Sequence, residues 1–521
     1  MPDEPLVLKE ALKFGKTLNI GEVVKSAPHM YINFFFSSVY YVVQKLRGVL
    51  SSPMDMTIIF VRDPSHLYFL LRSVSAFLST ISIFLISIFV YKIFKCKEAF
   101  FWSAILYTIL PASLKMARTM KEDNTAILLF LSALIYLYSL YEKGGWKRFF
   151  IAGCMSGVAV AAKGYSAFLY PLLLYMWWRK GESWKVLIAC AFGVIISNSI
   201  INPYPYFNFG GNISLTFLGP LISIFILILR KHEGAIFKEA AFYGTFTGRI
   251  GEGLHDIRGA IEGATGWFFI ILSILSFFYT LLKKEEKFSP SIIFIILYSI
   301  ALILYVQGAP SYLLPIIPFL LIVTFHLLFE IKKYYRYILL YLISFSFLFI
   351  SVKKILIPGI IGVPAEKLAL EWIRNNVKPR ERLLIHPSIL QYMLPETKKS
   401  VMRAFEEYKK IVPYPVEGTT FSIRLKFADE MGYELYRLYT FESLGFVKGK
   451  VDISVIENIK EKFDYVILPI HDKNILKKWE RIGMKWEKNI YTELINNLKV
   501  VAKFPEGITV MGPGVIICKT K

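Results

Sequence analysis

The chain has 521 residues, of which 55% are hydrophobic and only 19% charged, and its mean hydropathy is +0.49. A soluble protein of this size cannot bury so large an apolar share, so disorder and ordinary cytosolic folds are excluded and the chain reads as an integral membrane protein. The formal charge of +22 sits largely in short clusters between apolar runs, where it marks topology and contacts to anionic lipid rather than nucleic acid.

From the N-terminus, Met1-Pro-Asp-Glu4 leads into a charged, mildly amphipathic stretch that does not read as a cleavable signal peptide. Apolar segments follow at 73–91, 99–114, 124–141, 149–162, 164–178, 186–201, 266–282, 288–306, 309–329 and 337–352. Several fall short of the ~20 residues a perpendicular membrane helix needs, so they are expected to extend into their polar flanks. The segments 30–43 and 213–229 are ambiguous. The first is expected to lie at the interface; the second is either interfacial or a true span paired with another crossing in 230–265. The whole makes about ten to twelve membrane segments.

Basic clusters set the expected topology. Lys92, Lys95 and Lys97; Lys143, Lys147 and Arg148; Arg179, Lys180 and Lys185; Lys283, Lys284 and Lys287; and Lys332, Lys333 and Arg336 follow every second apolar segment. Placing them in the cytoplasm puts both chain ends outside. After Val352 the composition changes. Residues 358–521 alternate a helical pattern at 365–374 with strand-like runs at 383–385, 465–469, 499–503 and 515–518. That pattern predicts a compact α/β domain of about 160 residues on the outer face, after a membrane domain over 1–357.

The four cysteines, Cys96, Cys154, Cys190 and Cys518, show neither a CxxC pair nor metal-ligand spacing, so no disulfide framework is expected. Only three glutamines occur among abundant Lys, Ile and Tyr, a thermophile-like bias. No internal repeat points to a transporter built from inverted halves.

Polar residues at the outer helix ends carry the candidate chemistry. They are Asp3 and Glu4, Arg72, the turn from Arg118 to Asp123, and Lys163. A carboxylate can deprotonate an acceptor hydroxyl as it attacks a sugar carbon, and cations can hold a departing phosphate. Each has a plainer alternative. Lys163 and Arg72 also suit membrane anchors, Asp3 and Glu4 a solvated terminus, and Asp123 an N-terminal helix cap. His29 and the His255-Asp256-Ile-Arg258 group are weaker candidates, and Asn212-Ile-Ser214 matches a glycosylation sequon. The absence of any DxD motif argues against a carboxylate-held metal, and no metal or other cofactor is expected.

In their order these residues resemble the polytopic glycosyltransferases of the C superfold (GT-C), especially glycosyltransferase family 39, with its protein O-mannosyltransferases and aminoarabinose transferases. The resemblance rests on Asp3-Glu4, Pro28-His-Met-Tyr31, Arg72 followed by the basic loop at 92–97, Arg118 and Asp123, Gly157-Val-Ala-Val-Ala-Ala-Lys-Gly164, Tyr312-Leu-Leu-Pro-Ile-Ile-Pro318 and Ala369-Leu-Glu-Trp-Ile373. It covers roughly residues 1–375. It implies transfer of a monosaccharide, with inversion, from a polyprenyl- or dolichyl-phosphate donor to a protein, glycan or lipid acceptor on the extracytoplasmic face of the cell membrane. Asp3 would be the base, supported by Glu4, with Asp123 orienting acceptor or sugar. Lys163, Arg118 and Arg72 would hold the donor phosphate, and His29, His255 and Tyr312 would line the substrate site. A lipid-linked sugar flippase or a noncatalytic homologue is the alternative.

Two departures from the family pattern stand out. The family's first membrane helix precedes its Asp-Glu, whereas this sequence starts two residues before Asp3. Either the start codon is assigned too late, the chain is truncated, or the resemblance fails at this end. The family often carries Arg before the Tyr-Leu-Leu-Pro element, and here that position is Ser311.

Overall fold

The computed structural model describes residues 26–53, 55–56, 65–201, 254, 257–305, 310–357, 363–385, 397–403, 433–437, 459–470, 491–492, 494–505, 510–511 and 514–520. Asp3, Glu4, His255, the 213–229 segment and the sequon at Asn212 lie outside these residues. The chain divides into two compact units, one spanning 3–40 and 68–355, the other including 41–67 and 356–521.

The first unit is helical. In chain order its helices are α1 (Ala27–Leu46), α2 (Ser65–Phe94), α3 (Lys97–Ile109), α4 (Pro111–Ala117), α5 (Asp123–Ser139), α6 (Trp146–Ala162), α7 (Leu169–Lys180), α8 (Trp184–Ile201), α9 (Ile257–Ala264), α10 (Trp267–Lys283), α11 (Ser289–Tyr305), α12 (Ile317–Glu330) and α13 (Lys333–Ser351); α1 and α2 run across the division between the units. Among the described residues, four stretches are long and apolar enough to cross a membrane: Ser65–Phe94, Trp184–Ile201, Glu286–Ile303 and Lys333–Leu356. Two bent pairs, α3 with α4 and α9 with α10, bring the number to six if each is one span; α5 and α12 are apolar but shorter. α1, expected at the interface, is not among them.

Three predicted segments are interrupted. The 99–114 run bends by 62° at Leu110, because Pro111 has no amide hydrogen with which to continue the ladder of α3. The 164–178 run opens with a 3-10 turn, Gly164–Phe168, before α7 begins. The 309–329 run opens with a 3-10 turn at Pro310–Leu313, and α12 begins only at Ile317. α9 and α10 meet at 108° about Gly266, whose φ of +75° suits glycine and where a Cβ would press on Ile350.

With lipid as solvent, helices associate through close packing rather than through water exclusion. α6 and α8 make the most extensive helix contact, and glycines allow it. A Cβ on Gly153 would strike the Cys190 carbonyl, one on Gly193 the Phe150 carbonyl, and one on Gly157 the Val194 backbone. Elsewhere aromatic rings fill the space. Phe294 stacks on Phe319 at 4.0 Å, with Phe130 edge-on to Phe294 at 5.7 Å and Phe168 edge-on to Tyr298 at 5.1 Å.

The five basic loops gather at one end of this unit, joined by polar contacts. Lys95 pairs with Glu142 at 3.8 Å, Arg179 with Glu286, and Arg336 with Glu98 at 3.3 Å. The Gly145 amide donates to Glu182 at 2.7 Å, and Lys180 to the Glu142 carbonyl. Burial alone pushes the Glu285 carboxyl up, but the Lys287 hydrogen bond and charge, with His326 beside it, hold it below the usual glutamate range.

The second unit carries a five-stranded mixed sheet in the order β3-β2-β4-β7-β5. Its strands are β2 (Arg382–Ile385), β3 (Glu434–Arg437), β4 (Tyr465–Pro469), β5 (Lys499–Phe504) and β7 (Val515–Lys519). β2 runs parallel to β3 and β4, and β7 antiparallel to β4 and β5. A short parallel pair joins β1 (Val363–Pro364) to β6 (Val510–Met511). Side chains alternate between two cores. Leu383, Ile385, Ile467 and Ile517 pack with helix α14 (Ala365–Asn376), whereas Leu384, Val466, Leu468 and Ile516 pack with Phe463, Leu494 and Leu498. All four runs read as strands from the sequence are strands here; β3, only four residues long, was not predicted. All four cysteines are free thiols, and burial pushes that of Cys518 up to about 11.

Candidate functional site

At the helix ends opposite the basic loops, α5 begins with Asp123 and α6 gives way to Lys163. The Lys163 Nζ donates to Asp123 Oδ1 at 2.5 Å and stands 3.7 Å from Glu122. The pair is nearly sealed: the side chains of Asp123 and Lys163 are 3% and 16% exposed. Buried charges are retained when they are paired. The carboxylate therefore answers to Lys163 and does not cap α5, whose N-cap is Glu122, without a side-chain cap bond.

Tyrosines surround the ammonium. It lies 5.2 Å from the Tyr312 ring centre and 5.7 Å from that of Tyr165. Such cation–π contacts add to the ion pair where solvent is excluded. Tyr312 comes from the 3-10 turn before α12, and its carbonyl accepts a hydrogen bond from the buried Tyr298 hydroxyl at 2.8 Å.

His29 is fully buried at the start of α1, against the turn that leads into α5. Its Nδ1 is 3.0 Å from Thr125 Oγ1 and its Nε2 3.3 Å from the Met120 carbonyl, with Asn33 Nδ2 2.9 Å from Nε2. A neutral ring donating from Nδ1 to Thr125 and accepting at Nε2 from Asn33 satisfies two of these contacts. Asn124 ties the turn down by donating to the Met116 carbonyl at 2.7 Å.

The structure thus brings together Asp123, Lys163 and Tyr312, with His29 two residues along α5 from Asp123 through its bond to Thr125. Neither arginine touches the pair. Arg118 donates from Nη1 to the Ile355 carbonyl, and Arg72 stands exposed in the second turn of α2, 5.7 Å from the Tyr68 ring centre. Sequence reasoning missed Tyr165 and Tyr298. Tyr165 directly follows Lys163-Gly164, a proximity visible in the sequence; nothing local marks Tyr298. Among the described residues no group of three or more His, Cys, Asp or Glu is arranged to hold a metal.

A family model described as dolichyl-phosphate-mannose-protein mannosyltransferase matches residues 66–206. The matched stretch contains Arg72, Arg118, Asp123 and Lys163, and it bears out the resemblance to glycosyltransferase family 39. It indicates a membrane glycosyltransferase. No curated protein matches the chain.

Proposed function

We propose that this chain transfers a monosaccharide from a polyprenyl- or dolichyl-phosphate donor to an acceptor hydroxyl at the membrane face bearing Asp123 and Lys163. The observation that carries the reading is the sealed Asp123–Lys163 pair inside the stretch matched by the mannosyltransferase family. The acceptor oxygen attacks the anomeric carbon from the side opposite the phosphate. The carbon–oxygen bond to the phosphate breaks with inversion, and the phosphate leaves on its lipid. The acceptor proton passes to a carboxylate, a role the family resemblance gives to Asp3 with Glu4 in support. Lys163 offsets the charge developing on the departing phosphate, with Arg72 and Arg118 as further cations for it, and Asp123 orients sugar or acceptor. Carriage on a lipid accounts for a site built at the ends of membrane helices, since the donor arrives through the bilayer.

This face is read as extracytoplasmic because the basic loops gather at the other end, and by the same rule residues 358–521, which follow the tenth apolar segment, are read as extracytoplasmic. The GT-C architecture, with about ten to twelve membrane segments, belongs to the same reading. The acceptor is a protein, glycan or lipid, and neither a metal nor another cofactor takes part in the step.

Membranes containing the chain, given labelled polyprenyl-phosphate mannose or glucose, are expected to transfer label to protein or lipid fractions. Asp123→Asn and Asp3→Asn should each lower transfer by about 10²-fold or more. A stably inserted wild-type chain that transfers nothing from either donor would point instead to transport or a noncatalytic role.

A further inference from the structure

Immediately after Lys163 the chain makes the 3-10 turn Gly164–Phe168, which buries both Tyr165 and Ser166. Neither the Tyr165 hydroxyl nor the Ser166 Oγ has a hydrogen-bond partner among the described residues. Native proteins keep few such groups, because a buried hydroxyl that has lost water and gained nothing is unfavourable. Other unpartnered hydroxyls, such as Ser75 and Ser344, sit within helices, where a rotamer change reaches the carbonyl four residues back. A tyrosine hydroxyl cannot satisfy itself that way, so its partner must come from outside its own turn.

The surroundings narrow the partner's chemistry. The Tyr165 hydroxyl is within electrostatic reach of Asp123, Glu122, Tyr107 and Tyr298. An anion there would meet two carboxylates, and a cation would meet the Lys163 ammonium 5.7 Å from the ring centre. A neutral group rich in hydroxyls meets neither objection. Phe130 stands edge-on to Tyr165, with the ring centres 6.4 Å apart.

We propose that Tyr165, with Ser166 behind it, receives a hydroxyl of the sugar carried by the lipid-phosphate donor, and so positions the ring beside Asp123. The assignment rests on the glycosyltransferase reading above and adds to it the group that holds the sugar rather than the phosphate. Lys163 connects the two events. A donor phosphate that draws its ammonium from Asp123 uncovers the Tyr165 ring and releases the carboxylate toward the sugar.

The test compares binding of dolichyl-phosphate mannose and bare dolichyl phosphate to the purified full chain in lipid nanodiscs. Wild-type protein should prefer the sugar-bearing lipid. Tyr165→Phe should cut that preference about five- to tenfold, the loss of roughly one hydrogen bond, while leaving bare-lipid affinity and melting temperature unchanged or the latter slightly raised. Ser166→Ala should cut it by a smaller factor. A preference that survives Tyr165→Phe overturns the assignment and leaves the transferase reading standing. So does a variant that melts earlier or fails to fold, because its hydroxyl then had a structural partner, a buried water included. Wild-type protein that binds neither lipid fails the transferase reading and this assignment together.

Discussion

Lys163→Met would leave the Asp123 carboxylate charged, almost fully buried and without its partner, an arrangement that costs roughly 3–5 kcal/mol. Asp123→Asn should be milder, because the Lys163 ammonium retains Glu122, 3.7 Å away in the present geometry, and two tyrosine faces. The double variant is expected to lose less stability than the two single losses combined, and thermal unfolding in detergent gives that coupling directly. Additive losses would mean the pair contributes nothing as a pair. Both residues stand out in the sequence as charges at the ends of apolar runs. Their pairing does not, since they are 40 positions apart and each alone suits a membrane anchor. His29 was legible as a weaker candidate and, through the family resemblance, as a lining residue of the substrate site, but its contacts with Thr125 and Met120 exist because α1 packs onto the start of α5.

At the scale of elements, the close approach of α6 and α8 depends on glycines. Gly193→Ala sets a methyl group against the Phe150 carbonyl, which is backbone and cannot swing aside. A loss of roughly 1–3 kcal/mol is expected, read as a lowered melting temperature, with Gly193→Leu worse. An unchanged melting temperature for both would show that the helices separate without cost. Gly181→Ala is a useful contrast. That residue ends α7 at a φ of +61° with nothing near its Cβ position, so its penalty is conformational alone. Helix existence was readable from apolar runs, yet three boundaries were not. Pro111 bends one run, and two others open with 3-10 turns that lie within the apolar runs read from the sequence.

For the whole molecule, the contacts that join the five basic loops make orientation a single property. Single cysteines placed at Lys147 and Lys284 should react with an impermeant maleimide from one side of a sealed vesicle, and one at Lys121 from the other. By the positive-inside reading, the first two are cytoplasmic. Labelling of all three from one side would break the link between basic loops and topology, and would move the proposed site to the cytoplasmic face.

Composition alone determined that this chain is a membrane protein, because its apolar share exceeds what a soluble core can hold. Short strand-like runs located four strands of the C-terminal sheet; three of them, β2, β4 and β7, are near-continuously apolar, as strands buried on both faces are. Ordered short motifs were enough to reveal the family resemblance, and several of them place a charge at the end of an apolar run. Only tertiary structure decided which charges meet. It put Asp123 on Lys163, turned Arg118 toward Ile355, and left the hydroxyl of Tyr165 buried and unsatisfied beneath the pair. The reason is physical: a helix end fixes where a side chain starts, but its partner is set by which helices pack side by side, and glycine contacts and ring stacking far along the chain settle that.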